Sequence, residues 1–334
     1  MIKRKKSMQK SNNNEDRIYD DPRKVVAAAL VEAGEKNANV VYVSCDSSLG
    51  ASGDPFRKRF PERHFEFGIA EAGAMGQAAG LSISGKIPFI TAYLPFITYR
   101  CFEQIRDDVC KTNLNVNIMG NNCGFSVGPL GPTHTVLEDV TVMRSIPNLT
   151  ILSPADGPQY HAAVLAAAEI DGPVFLRVHR QKTPRIYEEG YKLVPGRADV
   201  LKEGSDITLI STSSMVSKTL EAAEILAGTG IDAEVINMYS LKPVDHDTIL
   251  NSAEKTKKVI TIEEHTIIGG LGGIVSEVLV QNCPAKLAMI GIEDQFAVVG
   301  DYNQLLDYYG LTPEKLALRI EELANKFHTS PRLT

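Results

Sequence analysis

Glu71 lies in FEFGIAEAGAMG (Phe65–Gly76), surrounded by Gly, Ile and Ala. An ionised carboxylate in such surroundings is costly unless paired. Glu71 therefore needs a partner, or a raised pKa that keeps it protonated. The plain alternative is an acid in the first turn of a helix, facing its dipole. Tyr93, Phe96 and Tyr99 recur every three residues in TAYLPFITYRCFEQIRDDV (Thr91–Val109), along one side of a turn leading into a helix. They are either a wall for a flat ring or ordinary core aromatics. His134, in GPTHTVLED (Gly131–Asp139), follows a Gly/Pro loop and precedes a helical pattern. A cap or a packed residue is its plain alternative.

Other patterns imitate chemistry without its context. Gly80–Lys86 reads G-x-x-x-x-G-K, but Ile87 stands where a phosphate loop needs a hydroxyl, and the segment runs from helix into strand. Gly124–Gly128 matches G-x-S-x-G, but Pro129 and Pro132 follow Ser126, so no helix can open directly from that serine. Gly269–Gly273 is glycine-rich without dinucleotide spacing. It suits close backbone packing or a cluster of free helix-terminal amides. There is no HExxH and no other tight His/Asp cluster, so no metal ligands are expected in this chain.

The elements that must position these residues alternate. Val40–Cys45 is a continuous β-branched run, as in a strand covered on both faces. The pattern predicts a helix over Gly68–Ile83, a strand at Ile87–Tyr93, a helix over Phe96–Lys111 and a strand at Asn115–Gly120. A Gly/Pro/Asn loop follows over Asn121–Thr133, then helical character at His134–Ser145. Leu149–Pro154 and Pro173–Val178 read as strands flanking a helix at Gln159–Glu169. A second set has strands at Asp206–Ser211, Ala233–Met238, Lys258–Glu263 and Lys286–Ile292, with helices at Val216–Ala227, Asp245–Ala253, Leu271–Gln281 and near Pro313–Lys326. The expected fold class is α/β: two doubly wound domains with mostly parallel sheets, each with helices on both faces. The three candidate segments fall at or just after strand carboxyl ends, where open α/β sheets place ligands.

The chain has 334 residues, enough for two domains. The expected division is a disordered polar tail over 1–20, a first domain over 21–185, a linker over 186–198 and a second domain over 199–334. A net charge of −6 is a poor match for nucleic acid or an anionic membrane surface. Five cysteines without CxxC spacing argue against a disulfide framework and fit a reducing, cytoplasmic setting. No apolar run approaches the roughly 18 residues of a membrane span, and the basic, then polar start is no secretory signal.

Taken together, these segments resemble a known pattern. GIAE, the aromatic turn followed by QIR, GPTHxxLED, IPNLTILSPAD (Ile146–Asp156), INMYSLKPVD (Ile236–Asp245) and EEHTIIGGLGG (Glu263–Gly273) occur in the order of the transketolase family of thiamine diphosphate enzymes. The resemblance runs from about Asp21 to Lys326 and covers that family's pyrimidine-binding and C-terminal domains. It implies that Glu71 hydrogen-bonds the cofactor's aminopyrimidine ring nitrogen, favouring the imino form that activates the thiazolium carbon. It also implies that Phe96 stacks on the pyrimidine, that Tyr93 and Tyr99 flank it, and that Asp46 lies near the cofactor. By the same resemblance His134 contacts the substrate's carbonyl or hydroxyl, and Arg23 and Arg180 hold the distal phosphate of a sugar.

The family's GDG segment, which with later Asn residues holds diphosphate and Mg2+, does not occur here. The resemblance is thus to the C-terminal subunit of a split transketolase. It implies a separate N-terminal subunit supplying the diphosphate and Mg2+ half, and an α2β2 assembly. Two positions depart from the pattern. Leu130 stands where many transketolases carry an acid that reads the acceptor's hydroxyl, and Asn122 stands where another histidine lies near the phosphate. With both arginines kept, the distal group is expected to be anionic, a phosphate or a sulfonate. The expected activity is transfer of a two-carbon ketol unit from a ketose to an aldose. The alternatives are a 2-oxo acid dehydrogenase β subunit, a deoxyxylulose phosphate synthase-like subunit, or a non-catalytic homologue.

Overall fold

The structure is a computed structural model that describes residues 17–46 and 54–329. The expected tail falls largely on residues outside that set. Its last residues are described, and Tyr19–Asp20 (β1) forms a strand. The first domain continues with α1 (Pro22–Lys36), β2 (Val40–Ser44), α2 (Asp54–Arg59), β3 (His64–Glu66), α3 (Glu71–Ile83) and β4 (Ile87–Tyr93). After β4 come α4 (Phe102–Gln104), β5 (Asn117–Asn121), α5 (Asp139–Arg144), β6 (Thr150–Leu152), α6 (Gly157–Glu169), β7 (Val174–Val178) and β8 (Thr183–Pro184). The second domain holds β9 (Asp199–Lys202), β10 (Ile207–Ser211), α7 (Met215–Gly228), β11 (Ala233–Asn237), β12 (Ser240–Lys242) and α8 (His246–Thr256). It ends with β13 (Lys258–Thr266), α9 (Leu271–Asn282), β14 (Lys286–Ile292), α10 (Tyr302–Tyr308) and α11 (Pro313–Thr329).

The first sheet has the order β12-β6-β7-β5-β4-β2-β3, parallel except for β12. The second has the order β14-β13-β10-β11-β9, parallel except for β9. All five residues of β2, β5, β7, β10 and β11 are buried, as parallel strands between two helical layers should be. Helix starts are set by side chains. Asp21 caps α1 ahead of Pro22, Asp156 caps α6, and Asp245 caps α8, each accepting a first-turn N–H.

Three features differ from the sequence expectation. The helix expected over Phe96–Lys111 is interrupted. Phe96–Arg100 and Ile105–Cys110 are wide, π-type turns on either side of α4. The helix expected from His134 begins only at Asp139, because Gly131 takes a left-handed turn (φ 74°) and His134 donates its N–H back to Gly131. The segment after Val178 is anchored rather than slack. β8 pairs antiparallel with β1, and Asp156 accepts the N–H groups of Ile186 and Tyr187.

The two domains are also joined. β12 leaves the second domain and pairs antiparallel with β6 at the edge of the first sheet. One apolar core runs from Val43, Ile90 and Ile118 through Val140 and Ile146 to Leu241, Ile274 and Val275.

Candidate active site

The carboxyl edge of the first sheet collects the functional candidates. Asp46 follows β2, Tyr93 ends β4, Asn122 follows β5, and Arg180 follows β7. Glu71 is the first residue of α3, after the turn that follows β3.

Glu71 is 2% exposed. Its Oε2 accepts a hydrogen bond from Arg100 Nη1 at 2.6 Å. The same guanidinium lies over the Phe96 ring, 4.6 Å from its centroid. The wide turn at Phe96–Arg100 turns Arg100 back toward α3. His134 stands edge-on to both Phe96 (5.3 Å) and Tyr93 (5.8 Å), and Tyr93 lies 6.2 Å from Phe96. One cluster thus combines a buried carboxylate, two aromatic rings and an imidazole. His134 Nδ1 is bonded to the Thr133 hydroxyl at 2.9 Å, and its Nε2 has no hydrogen bond among the described residues. Tyr99 sits at the rim, its hydroxyl donating to Glu138 Oε2 at 2.9 Å.

The remaining candidates fall around this cluster. Asp46 is exposed in a left-handed conformation, and its N–H donates to Glu66. Asn122 is buried, also left-handed (φ 65°), and its Oδ1 has no partner among the described residues. Leu130 is 53% exposed at the tip of the loop before His134. Arg23 and Arg180 line a separate cleft at the domain boundary. Arg23 is bonded to Asp21, at 3.0 and 3.2 Å. Ser126 donates its hydroxyl to Cys123 O and accepts the Arg180 N–H, a structural pattern rather than a nucleophile's.

Two features escape a reading of the sequence alone. Arg100 is one; its position next to Tyr99 in the aromatic segment is the available signal. The other is a buried polar network carried by EEH (Glu263–His265) of β13. Arg177 clasps Asp139 with two bonds, 2.6 and 3.1 Å, both residues being fully buried. His265 Nδ1 donates to Thr266 O at 2.7 Å, and its Nε2 accepts the Val140 N–H at 3.2 Å. Burial holds that imidazole neutral, its pKa drawn down to about 4. Glu264 accepts the Phe125 N–H (2.6 Å) and hydroxyls from Ser214 and Tyr302. The second domain therefore holds both loops that bracket His134.

Glu263 accepts the N–H groups of Leu271 (2.7 Å) and Gly272 (2.9 Å), satisfying the first amides of α9. This explains the Gly269–Gly273 cluster. A Cβ at Gly270 would overlap Glu263 Oε2 and lie 2.6 Å from His265 Nδ1. Gly270→Ala is expected to destabilise the protein by about 2–3 kcal/mol, through overpacking and a strained cap. A urea unfolding midpoint measures it, and a shift within error of the parent would refute the packing argument.

This fold defines an α/β protein whose candidate site residues lie along the carboxyl edge of a mostly parallel sheet, joined to a second domain. Residues 21–185 match the transketolase pyrimidine-binding domain, and residues 196–316 the transketolase C-terminal domain. The chain belongs to the transketolase family. It is 38% identical to the 6-deoxy-6-sulfo-D-fructose transketolase subunit of Clostridium sp. strain MSTE9, covering 89% of this chain and 92% of that one. It is 35% identical to an apulose-4-phosphate transketolase subunit of Actinobacillus succinogenes, covering 87% and 94%. A solved structure of a split-gene transketolase, an inactive β4 tetramer, superposes with a TM-score of 0.84 at 40% identity, covering 91% of this chain and 98% of that one. Among the described residues no helix is long and apolar enough to cross a membrane.

Proposed function

We propose that this chain is the pyrimidine-binding subunit of a thiamine diphosphate-dependent transketolase, moving a two-carbon ketol unit from a ketose to an aldose. The observation that carries this reading is the buried Glu71 carboxylate facing the Phe96 ring. The Arg100 guanidinium shows what the space between them accepts: a flat group that donates to Glu71 and lies against the ring. An aminopyrimidine that carries a proton on its ring nitrogen has that shape and that donor.

When bound, thiamine diphosphate supplies the nucleophilic carbon and the electron sink for ketol transfer. The chain's residues do the rest. Glu71 shares a proton with the ring nitrogen, Phe96 carries the ring's face, and Tyr93 and Tyr99 border it. Asp46 lies at the cofactor's margin. His134, with Nδ1 fixed by Thr133, offers Nε2 to a substrate hydroxyl or carbonyl. Asn122 offers an unpaired acceptor, and Leu130 a surface without hydrogen-bonding capacity. A partner subunit supplies the diphosphate site and Mg2+, in an α2β2 assembly in the cytoplasm. Relatives named as transketolase subunits support the need for that partner.

The test is ketol transfer with the chain alone, the partner alone, and the mixture with thiamine diphosphate and Mg2+. Turnover is expected from the mixture only. Turnover by the chain alone, or none by the mixture, would overturn the reading.

Arg100 must leave Glu71 before a pyrimidine can take its place. Arg100→Met removes the competitor and leaves the buried acid in want of a donor. The pair is half-exposed on the arginine side, so its worth is about 1 kcal/mol, and thiamine diphosphate should bind the assembled complex about fivefold tighter. Titration calorimetry reads this directly. Weaker binding would mean that Arg100 supports the ring instead.

A further inference from the structure

A pocket of about 230 Å³ opens where the end of α5 meets β12, α8 and α9. It shares no residue with the Glu71–His134 cluster. Leu241, Val244, Ile274 and Val278 form its apolar wall, and all four belong to or pack against the core that joins the domains. Arg144, Lys242 and His246 line its polar side, and Glu277 is the one carboxylate among the lining residues. Both oxygens of Glu277 are taken by the Arg144 guanidinium. Lys242 donates two of its three N–H groups to main-chain carbonyls, those of Arg144 (3.0 Å) and Ile146. Those acceptors are neutral, and among the described residues no carboxylate pairs with the ammonium. Burial draws Lys242 below the ordinary lysine range. His246 is the first residue of α8, where the helix dipole adds partial positive charge. The pocket is therefore apolar on one side and net positive on the other.

We propose that this pocket binds a small aliphatic monocarboxylate, its chain on the apolar wall and its carboxylate beside Lys242. The site goes beyond the transketolase reading and does not depend on it. A water molecule takes up about 30 Å³ of the liquid, so the pocket has room for a ligand of about eight non-hydrogen atoms. A six-carbon acid has that size. Arg144 and Glu277 cancel each other, which leaves the single charge of Lys242 to match a single carboxylate. Lys242 keeps its third N–H for that contact. The ligand is an effector rather than a substrate, because it lies apart from the candidate reacting cluster. It braces the last turn of α5, the helix that follows the His134 loop, against α9 of the second domain.

The experiment uses the full chain, with titration calorimetry and thermal melting as readouts. The probes are butanoate, hexanoate, octanoate, hexylamine and 1-hexanol. Hexanoate is expected to bind with a Kd of about 1 mM, ordinary for so few atoms, and to raise the melting temperature. Butanoate should bind about tenfold more weakly, the worth of two buried methylenes. Octanoate should gain little over hexanoate, because the pocket is already full. 1-Hexanol should bind about tenfold more weakly than hexanoate, for want of one charged hydrogen bond. Hexylamine, which brings a second cation to Lys242, should not bind.

Two variants tie the binding to this pocket. Lys242→Met should weaken hexanoate about tenfold and leave 1-hexanol unchanged. Lys242 also holds the end of α5, so a second variant leaves that contact alone. His246→Glu, at an exposed position, adds a carboxylate to the polar side. It should weaken hexanoate about threefold, the scale of an exposed charge pair, and let hexylamine bind. The proposal is overturned if hexanoate at about 20 mM, well above the expected Kd, gives neither heat of binding nor a higher melting temperature. It is equally overturned if 1-hexanol binds as tightly as hexanoate, or if both variants bind hexanoate as the parent does.

Discussion

Glu71→Gln is expected to lower turnover of the reconstituted enzyme by about 10²–10³-fold, the range of a lost proton-transfer role, without loss of fold or assembly. Glutamine keeps the volume and one acceptor oxygen, so α3 and the packing of Ala74, Met75 and Ala78 behind it should be undisturbed. It has no acidic proton to share with a ring nitrogen, and the Arg100 pairing loses its charge. The change should therefore appear in kcat more than in KM for the sugars. Steady-state rates together with light scattering of the assembled complex make the check. Near-parent turnover in a correctly sized complex would remove Glu71 from the proposed mechanism.

The layout of this site is legible where local sequence decides structure. Val40–Ser44 is a strand because five consecutive residues, mostly apolar and β-branched, have no polar face to show solvent. α3 reads as a helix because its apolar residues Ala74, Met75, Ala78 and Ala79 recur at helical spacing and form its buried face. Alternation of such runs with helical patterns leads directly to parallel sheets with ligands at their carboxyl edge.

Long-range partners decide what cannot be read. Ser240–Lys242 is three residues long and carries no periodicity. It is a strand only because β6 offers it an edge. The wide turns at Phe96–Arg100 and Ile105–Cys110 keep a helical apolar pattern, so their extra residue per turn is invisible in sequence. Glu71 is recognisable as a buried acid in need of a partner. That the partner is Arg100 depends on a turn geometry no local rule supplies. The pattern at His134 suggests the start of a helix, whereas Gly131 folds the chain back and leaves His134 in a loop. EEH in β13 stands out in sequence only as part of a family pattern. Its meaning emerges when Asp139, Arg177 and the 123–140 loops close over it.

That closure rests on Arg177, which joins β7 to Asp139 and Ser153. Arg177 and Asp139 are almost completely removed from solvent. Arg177 Nη1 also reaches Ser153 Oγ at 3.2 Å, and Asp139 Oδ1 lies 3.8 Å from His265 Nε2. Arg177→Met substitutes an apolar chain of similar length but strands the Asp139 carboxylate beside a neutral imidazole. The expected cost is about 3–5 kcal/mol, because a buried charge without its partner keeps its desolvation penalty and loses its attraction. Arg177→Met/Asp139→Leu removes both charges and should recover most of that loss, since the pair's net worth against apolar packing is small. Urea midpoints for the parent, the single and the double variant decide the matter. A single variant within about 1 kcal/mol of the parent would show that solvent or a shifted proton relieves Asp139. A double variant no better than the single would show that the pair is needed for its geometry. Asp139 begins α5, five residues after His134, and the bond from the Val140 N–H to His265 ties that helix to the second domain. The single variant should thus also raise KM for the sugar substrates, because the loop carrying His134 loses its fixed end.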